Sequence, residues 1–223
     1  MGKMKKIIDL TLPIRKHWRW PLESTLVHSF AKGDPNQVTQ FTLKSHWYTH
    51  IDSPKHMLAD GKTLEEYPLD ILIGKALILD LSHIAASEGI TPDILKNAAR
   101  GKEMQQILIL KTDWESKVSW ESMDYWDHAP YITEEGGKWI FEQGPKVVGF
   151  DFPQDYDIRF IRTTPESQLK MPVHEQVLNK GVLMIEYLTN LKQIPTDTCK
   201  ITALPLKLEE ADGAPIRVVA EVE

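Results

Sequence analysis

Three of the eight histidines stand within eleven residues, in the run His46-Trp-Tyr-Thr-His50-Ile-Asp52-Ser-Pro-Lys-His56. The pattern is H-x3-H-x-D-x3-H, and imidazole with carboxylate is the donor set of Zn²⁺, Mn²⁺ or Fe²⁺ sites. All four residues have even numbers, so an extended chain turns their side chains to one face. A straight strand would still hold His46 and His50 roughly 13 Å apart, at ~3.3 Å per residue. Bonds of about 2 Å cannot span that gap to one ion. The chain is therefore expected to bend near Tyr48-Thr49, and again at Pro54, whose ring fixes φ. A helix would also bring His46 and His50 together, as in the H-E-x-x-H motif of zinc proteases, but Trp47 stands where that motif needs its general base. The bland alternative is a histidine-rich surface strand with one capping Asp. Four donors in register favour metal.

A second cluster lies far downstream, in Met171-Pro-Val-His174-Glu175 and in the run from Gly181 through Glu186 to Leu191. Gly181 separates a short helix carrying His174 from a strand carrying Glu186. Glu186 interrupts an apolar run over 182–188 that otherwise reads as buried. A buried lone carboxylate is expensive, so Glu186 is expected to meet a cation or to titrate neutral; the bland alternative is an edge strand with Glu186 facing solvent.

The elements that must position these residues are mostly strands. Short runs rich in Ile, Val and Leu fall at 6–12, 39–43, 76–81, 107–111, 147–150, 182–186, 199–206 and 216–222, and their length favours strand over helix. Helical signals lie between some of them. Thr91-Pro92-Asp93 opens a helix over 94–100, and Thr133-Glu134-Glu135 opens one ending at Gly144, with Gly136-Gly137 weakening its first turn. A third runs from Pro172 to Gly181. The expected class is mixed, strand-rich α/β, with a doubly wound sheet disfavoured because strands near each end lack intervening helices. No glycine-rich phosphate loop follows a strand.

Composition sets the outer bounds. The chain has 223 residues, 42% hydrophobic and 26% charged, an ordinary globular balance that excludes disorder, collagen and coiled coil. One domain over 1–223 is expected. A net charge of −6 is against a nucleic-acid or membrane-surface partner. No apolar run approaches the ~20 residues of a membrane span. The basic start MGKMKK turns acidic before an apolar leader core forms. The single cysteine, Cys199, excludes an internal disulfide and a Cys-rich zinc module. A cytoplasmic protein is expected.

The two clusters together resemble the cyclase family of metal-dependent hydrolases, which includes bacterial kynurenine formamidase and isatin hydrolase. The family pattern is H-x-G-T-H-x-D-x-P-x-H, with a later His, a Glu twelve residues on and an adjoining L-T-N-L. This sequence reads HWYTHIDSPKH and HEQVLNKGVLMIEYLTNL with the same spacings. Weaker similarity extends to IIDLT, VVGFD and LPLKLEEADGAPIRVVA, so nearly the whole chain is covered.

The resemblance implies a swivelling β/β/α fold and a homodimer or homotetramer. It implies that His46, His50 and Asp52 hold one metal, that Asp52 and Glu186 bridge to a second also held by His174, and that His56 is the general acid/base. Zn²⁺ is the expected ion, with Mn²⁺ next, one or two per subunit. The implied activity is hydrolysis of a C–N amide or lactam bond in a small molecule, for which the seven tryptophans suit an aromatic ring. N-formylkynurenine is the best single substrate and an isatin-like lactam the second. Two substrate-facing residues are expected. Trp20 matches an aromatic of the formamidases, although a core or interface tryptophan fits the sequence equally. Tyr48 replaces the family glycine, at the expected bend, where positive φ suits a bulky residue poorly. If alternation holds, Tyr48 narrows the pocket; a phenol there also suits a silent metal-binding homologue, whereas retention of His56 argues for turnover.

Overall fold

Strands buried on both faces must alternate between two apolar surroundings, and the longest apolar runs do so here. A computed structural model describes residues 5–222; Met1–Met4, part of the basic start, and Glu223 lie outside the described residues. In chain order the elements are β1 (Lys6–Asp9), β2 (Glu23–His28), β3 (Val38–Thr42), β4 (His50–Asp52), β5 (Ile73–Asp80), β6 (Gly89–Ile90), α1 (Pro92–Ala99), β7 (Ile107–Lys111), α2 (Trp114–Lys117), α3 (Asp124–Asp127), β8 (Tyr131–Ile132), α4 (Glu134–Glu142), β9 (Val147–Phe150), α5 (Pro172–Leu178), β10 (Leu183–Glu186), β11 (Thr198–Pro205) and β12 (Gly213–Val222). The mixed, strand-rich α/β class expected from the sequence is the one observed. The expected strands and helices are present, most with ends moved by a few residues.

The main sheet runs β1-β12-β11-β5-β7-β9-β10-β4, and β12 also pairs with β4. Seven strands therefore close into a ring, with β1 added outside it. The pairs β5–β7, β7–β9 and β9–β10 are parallel, and the other pairs of this sheet are antiparallel. The long strand β12 makes closure possible. Gly213, Ala214 and Pro215 pair with β4, while Val219–Val222 pair with β1 along the same edge.

Alternation divides the core in two. Ile51, Ile78, Ile109, Val147, Ile185, Ile201 and Val218 belong to one buried cluster drawn from every strand of the ring. Leu79, Leu110, Val148, Phe150 and Met184 point the other way, into a cluster shared with α1, α4, α5 and the aromatic loops. A side chain two residues from Met184, or flanking Ile51, is thus sent to the outer face.

The helices begin as their local chemistry dictates. Thr133 caps α4 by accepting the Gly136 amide through its hydroxyl at 3.1 Å, which satisfies one donor the helix cannot. The glycine expected to weaken that turn is required there. A Cβ on Gly136 would lie 2.6 Å from the Ile90 carbonyl oxygen, so only hydrogen allows the close approach. No helix among the described residues is long and apolar enough to cross a membrane.

Candidate metal centre

Strand β4 supplies His50 and Asp52 on its outer face, with Ile51 turned into the ring. Glu186 lies directly opposite His50 on antiparallel β10, and Met184 opposite Asp52. Directly paired residues share a face, so strand register alone brings Glu186 to the two β4 donors. His50 Nε2 is 3.1 Å from Asp52 Oδ1 and 3.4 Å from Glu186 Oε2.

The remaining donors arrive from loops and a helix. His46 precedes β4 in a turn, and its Nδ1 is 2.7 Å from Asp52 Oδ1. His56 ends a short 3-10 helix that starts at Pro54, and its ring stacks on His46 with centroids 3.8 Å apart. His174, in the first turn of α5, places Nε2 3.2 Å from Glu186 Oε1 and 3.7 Å from Asp52 Oδ2. All six candidate side chains therefore meet. Two close donor groups share Asp52: His46 with His56, and His50 with Glu186. The sequence reading grouped His46, His50 and Asp52, with Asp52 and Glu186 joining them to His174; His46 Nδ1 and His50 Nε2 both approach Asp52 Oδ1, at 2.7 and 3.1 Å.

The bend comes where geometry demanded it, but Tyr48 is not a pocket residue. Its φ is +57°, and the left-handed turn ends the alternation on which the pocket expectation rested. The ring is fully buried, packs 4.6 Å from Trp20, and its hydroxyl donates to the Arg15 carbonyl, with the Trp20 carbonyl also within reach at 3.2 Å. The cavity over the donor cluster, about 750 Å³, is lined by Trp18, Trp20, Trp47 and Tyr187 but not by Tyr48. Trp20 thus reaches the cavity while also being core, so the two sequence alternatives for it were not exclusive. The case for a silent homologue built on Tyr48 falls with this correction.

Charges in the cluster are set by their neighbours. Burial alone would hold His46 neutral, but the carboxylates of Asp52 and Asp212 outweigh it and lift the imidazole to about 9. Burial likewise opposes the ionised forms of Asp52 and Glu186. His50 and His46 nevertheless hold Asp52 well below the usual carboxylate range, and His174 draws Glu186 down to about 2. His174 is raised despite burial by Asp155 and Glu186. Burial lowers His56.

This donor set fits a divalent cation. His50 Nε2 and Asp52 Oδ2 are buried and have no hydrogen-bond partner, an expensive arrangement in a protein interior. The His50 ring is already oriented, because Nδ1–H donates to the Tyr48 carbonyl at 2.8 Å and leaves the Nε2 lone pair facing the carboxylates. His174 is held similarly by Asp155, whose Oδ2 accepts from Nδ1 at 2.6 Å. Such outer contacts fix tautomer and ring direction in metal sites.

A family profile described as "Putative cyclase" matches residues 8–154. The chain belongs to the cyclase family. The kynurenine formamidase of Bacillus mycoides (strain KBAB4) is 26% identical over 222 residues, covering 97% of this chain and 98% of its own. That of Bordetella petrii is 24% identical over 207 residues, covering 93% and 87%. Among solved structures, isatin hydrolase A from Labrenzia aggregata has a TM-score of 0.79 at 20% identity, covering 98% of this chain and 94% of that one. A predicted metal-dependent hydrolase from Bacillus stearothermophilus has a TM-score of 0.71 at 24% identity, covering 98% of each.

Several contributors to this cyclase site were not singled out from the sequence. Asp155 holds His174 and also accepts the Val173 amide at the start of α5 (2.8 Å). Gln154 donates to Glu186 Oε1 from a fully buried position. Asp212, in the turn before β12, takes His46 Nε2 at 2.7 Å. The only available signal was the Asp212-Gly213 turn pair. A Cβ at Gly213 would stand 2.7 Å from His46 Cε1, so glycine admits the ring and aspartate aims it. Asp212→Asn is expected to weaken Zn²⁺ or Mn²⁺ binding about 10- to 100-fold, measured by competition with a chromogenic chelator. Unaltered affinity would mean that Asp212 does not position His46.

Proposed function

We propose that this cyclase is a metal-dependent hydrolase cleaving the C–N bond of a small aromatic amide. N-formylkynurenine is the first substrate to try and an isatin-like lactam the second. The observation that carries the reading is the meeting of His46, His50, Asp52, His174 and Glu186, with partnerless Nε2 and Oδ2 atoms, under an aromatic-walled cavity. Those five side chains would hold the metal, Zn²⁺ first and Mn²⁺ second, in one or two positions joined by Asp52. A divalent ion bound there supplies a Lewis acid for the carbonyl and a water acidic enough to ionise near neutral pH.

The rest of the work belongs to the chain's own residues. His56 borders the cavity beside His46 and Asp52, where its imidazole takes a proton from the attacking water and passes one to the leaving nitrogen. Tyr48 O and Asp155 keep the His50 and His174 rings in their working orientation. Trp18, Trp20, Trp47 and Tyr187 offer flat apolar walls to an aryl group and keep bulk water from it.

The test begins with protein purified without chelator, assayed for metal and then against N-formylkynurenine, isatin and a panel of formamides, lactams and lactones. Bound Zn²⁺ or Mn²⁺ and chelator-sensitive release of kynurenine and formate are expected. Full metal occupancy with no turnover across the panel would overturn the reading in favour of a metal-binding protein without hydrolase activity.

A further inference from the structure

The chain between Asp155 and Val173 leaves the centre and comes back to it. Asp155 Oδ1 accepts the Val173 amide and Asp157 Oδ2 the Lys170 amide, both at 2.8 Å, so two aspartates clasp the ends of a loop over 156–171. A surface loop with its ends held together in this way is an Ω-loop. Its inner side forms one wall of the cavity over the donor cluster, through Ile158, Ile161, Arg162 and Met171. Its packing is thin. Among its described side chains only Ile158 is buried, and Tyr156 and Phe160 are exposed. Segments with few buried apolar contacts open at low cost.

Two arginines fasten the body of this loop. Arg159 lies over Tyr156, 3.9 Å from its ring centroid, and donates to the Ala129 carbonyl at 3.2 Å. Arg162 reaches across the cavity rim. Its Nη2 is 2.6 Å from Asp127 Oδ2 on α3, and its Cζ lies 5.4 Å from the ring centroid of Trp18. Asp127 Oδ1 has no hydrogen-bond partner, so the pair is single-pronged, and its two side chains stay 33% and 28% exposed. A partly exposed pair of this kind is weak. The clasp at the other end is shared with the centre, because Asp155 Oδ2 also accepts from His174 Nδ1 at 2.6 Å. A loop that swings outwards therefore pulls on the carboxylate that aims a metal donor.

We propose that the segment 156–171 is a lid over the metal cavity, hinged at Asp155 and latched by Arg162, and that filling the centre closes it. The proposal rests on the metal part of the reading above and not on turnover. A bound species shifts an equilibrium only by favouring one form. The closed form is favoured here because it holds His174 Nε2 towards Glu186 and Asp52, at 3.2 and 3.7 Å. Open, the lid admits ion and substrate; closed, it keeps bulk water from them.

The experiment digests the full chain with trypsin, metal-free and loaded with Zn²⁺, and follows the bonds after Arg159 and Lys170 by mass spectrometry. Cleavage through a local opening tracks the population of the open form. In the metal-free protein both bonds are expected to be cut while those after Lys75 and Lys111, inside β5 and β7, stay intact. Zn²⁺ at about 100 times its Kd should slow the two lid cuts about 10-fold or more. Asp127→Asn should speed them about 2- to 5-fold in the metal-free protein. Arg162→Met should speed them further, since it also loses the contact with Trp18, and Arg162→Lys should restore part of the protection. Sheet bonds cut as fast as the lid, lid cuts indifferent to bound Zn²⁺, or latch variants that leave those cuts unchanged each overturn the proposal. Metal analysis of the same sample keeps the two readings apart. Bound ion without protection refutes the lid alone, and no bound ion refutes the centre and the coupling with it.

Discussion

Asp52→Asn is expected to strip the protein of metal and to lower kcat/KM by roughly 10³-fold or more, since the metal contributes several kcal/mol of transition-state stabilisation. The reason is position. Asp52 is fully buried and central, 2.7 Å from His46 Nδ1, 3.1 Å from His50 Nε2 and 3.7 Å from His174 Nε2. It belongs to both close donor groups, so its charge serves either ion position. Asparagine keeps the shape but has one acceptor oxygen and no charge, and it leaves two buried imidazoles without their anion. Metal analysis of the purified variant beside a turnover assay gives the answer. Native-like metal content would show that Asp52 is not the shared ligand.

His56→Ala should behave differently. Turnover is expected to fall about 10²- to 10⁴-fold, the usual contribution of a general acid/base, while most of the metal stays. His50, Asp52 and Glu186 form a close donor group without it, and their orientation rests on strand register and on the Tyr48 carbonyl rather than on His56. His56 does stand with His46 and Asp52 as a possible donor trio, and this makes the measurement decisive. If metal content falls in proportion to activity, His56 is a ligand, and its assignment as proton carrier is wrong.

The sequence disclosed the scaffold where burial leaves a simple imprint. The runs Ile107–Lys111 and Val147–Phe150 became strands with those bounds, because parallel strands covered on both faces need unbroken apolar runs. Strand β4 left no such imprint. It is three residues long, two of them ionisable, and it was legible only as chemistry, through the spacing of its donors. Parity succeeded for His50 and Asp52, which lie on a strand, and failed for Tyr48, which sits in a left-handed turn where alternation has no meaning. Asp155 and Asp212 lie outside the helices and the main sheet. Their roles depend on which distant ring or carboxylate they meet, and no local periodicity records that. The exposed hairpin β2–β3 was half seen. The second strand stood out by its apolar alternation, and the first, with Glu23, Ser24 and Thr25, did not.

The closed ring also fixes when the centre can come into being. His46, His50 and Asp52 are synthesised in the first quarter of the chain, yet among the described residues β4 has no strand neighbours in the main sheet except β10 and β12. Its partners Glu186 and Gly213 leave the ribosome far later. Asp212, which aims His46, belongs to the same final stretch. Until those strands are made the early donors lack the sheet partners of β4, and loop closure over so long a separation is slow. A nascent chain that ends before Glu186 therefore carries only part of the donor set, and the ring that holds β4 closes only when β12 lies between β11 on one side and β1 and β4 on the other.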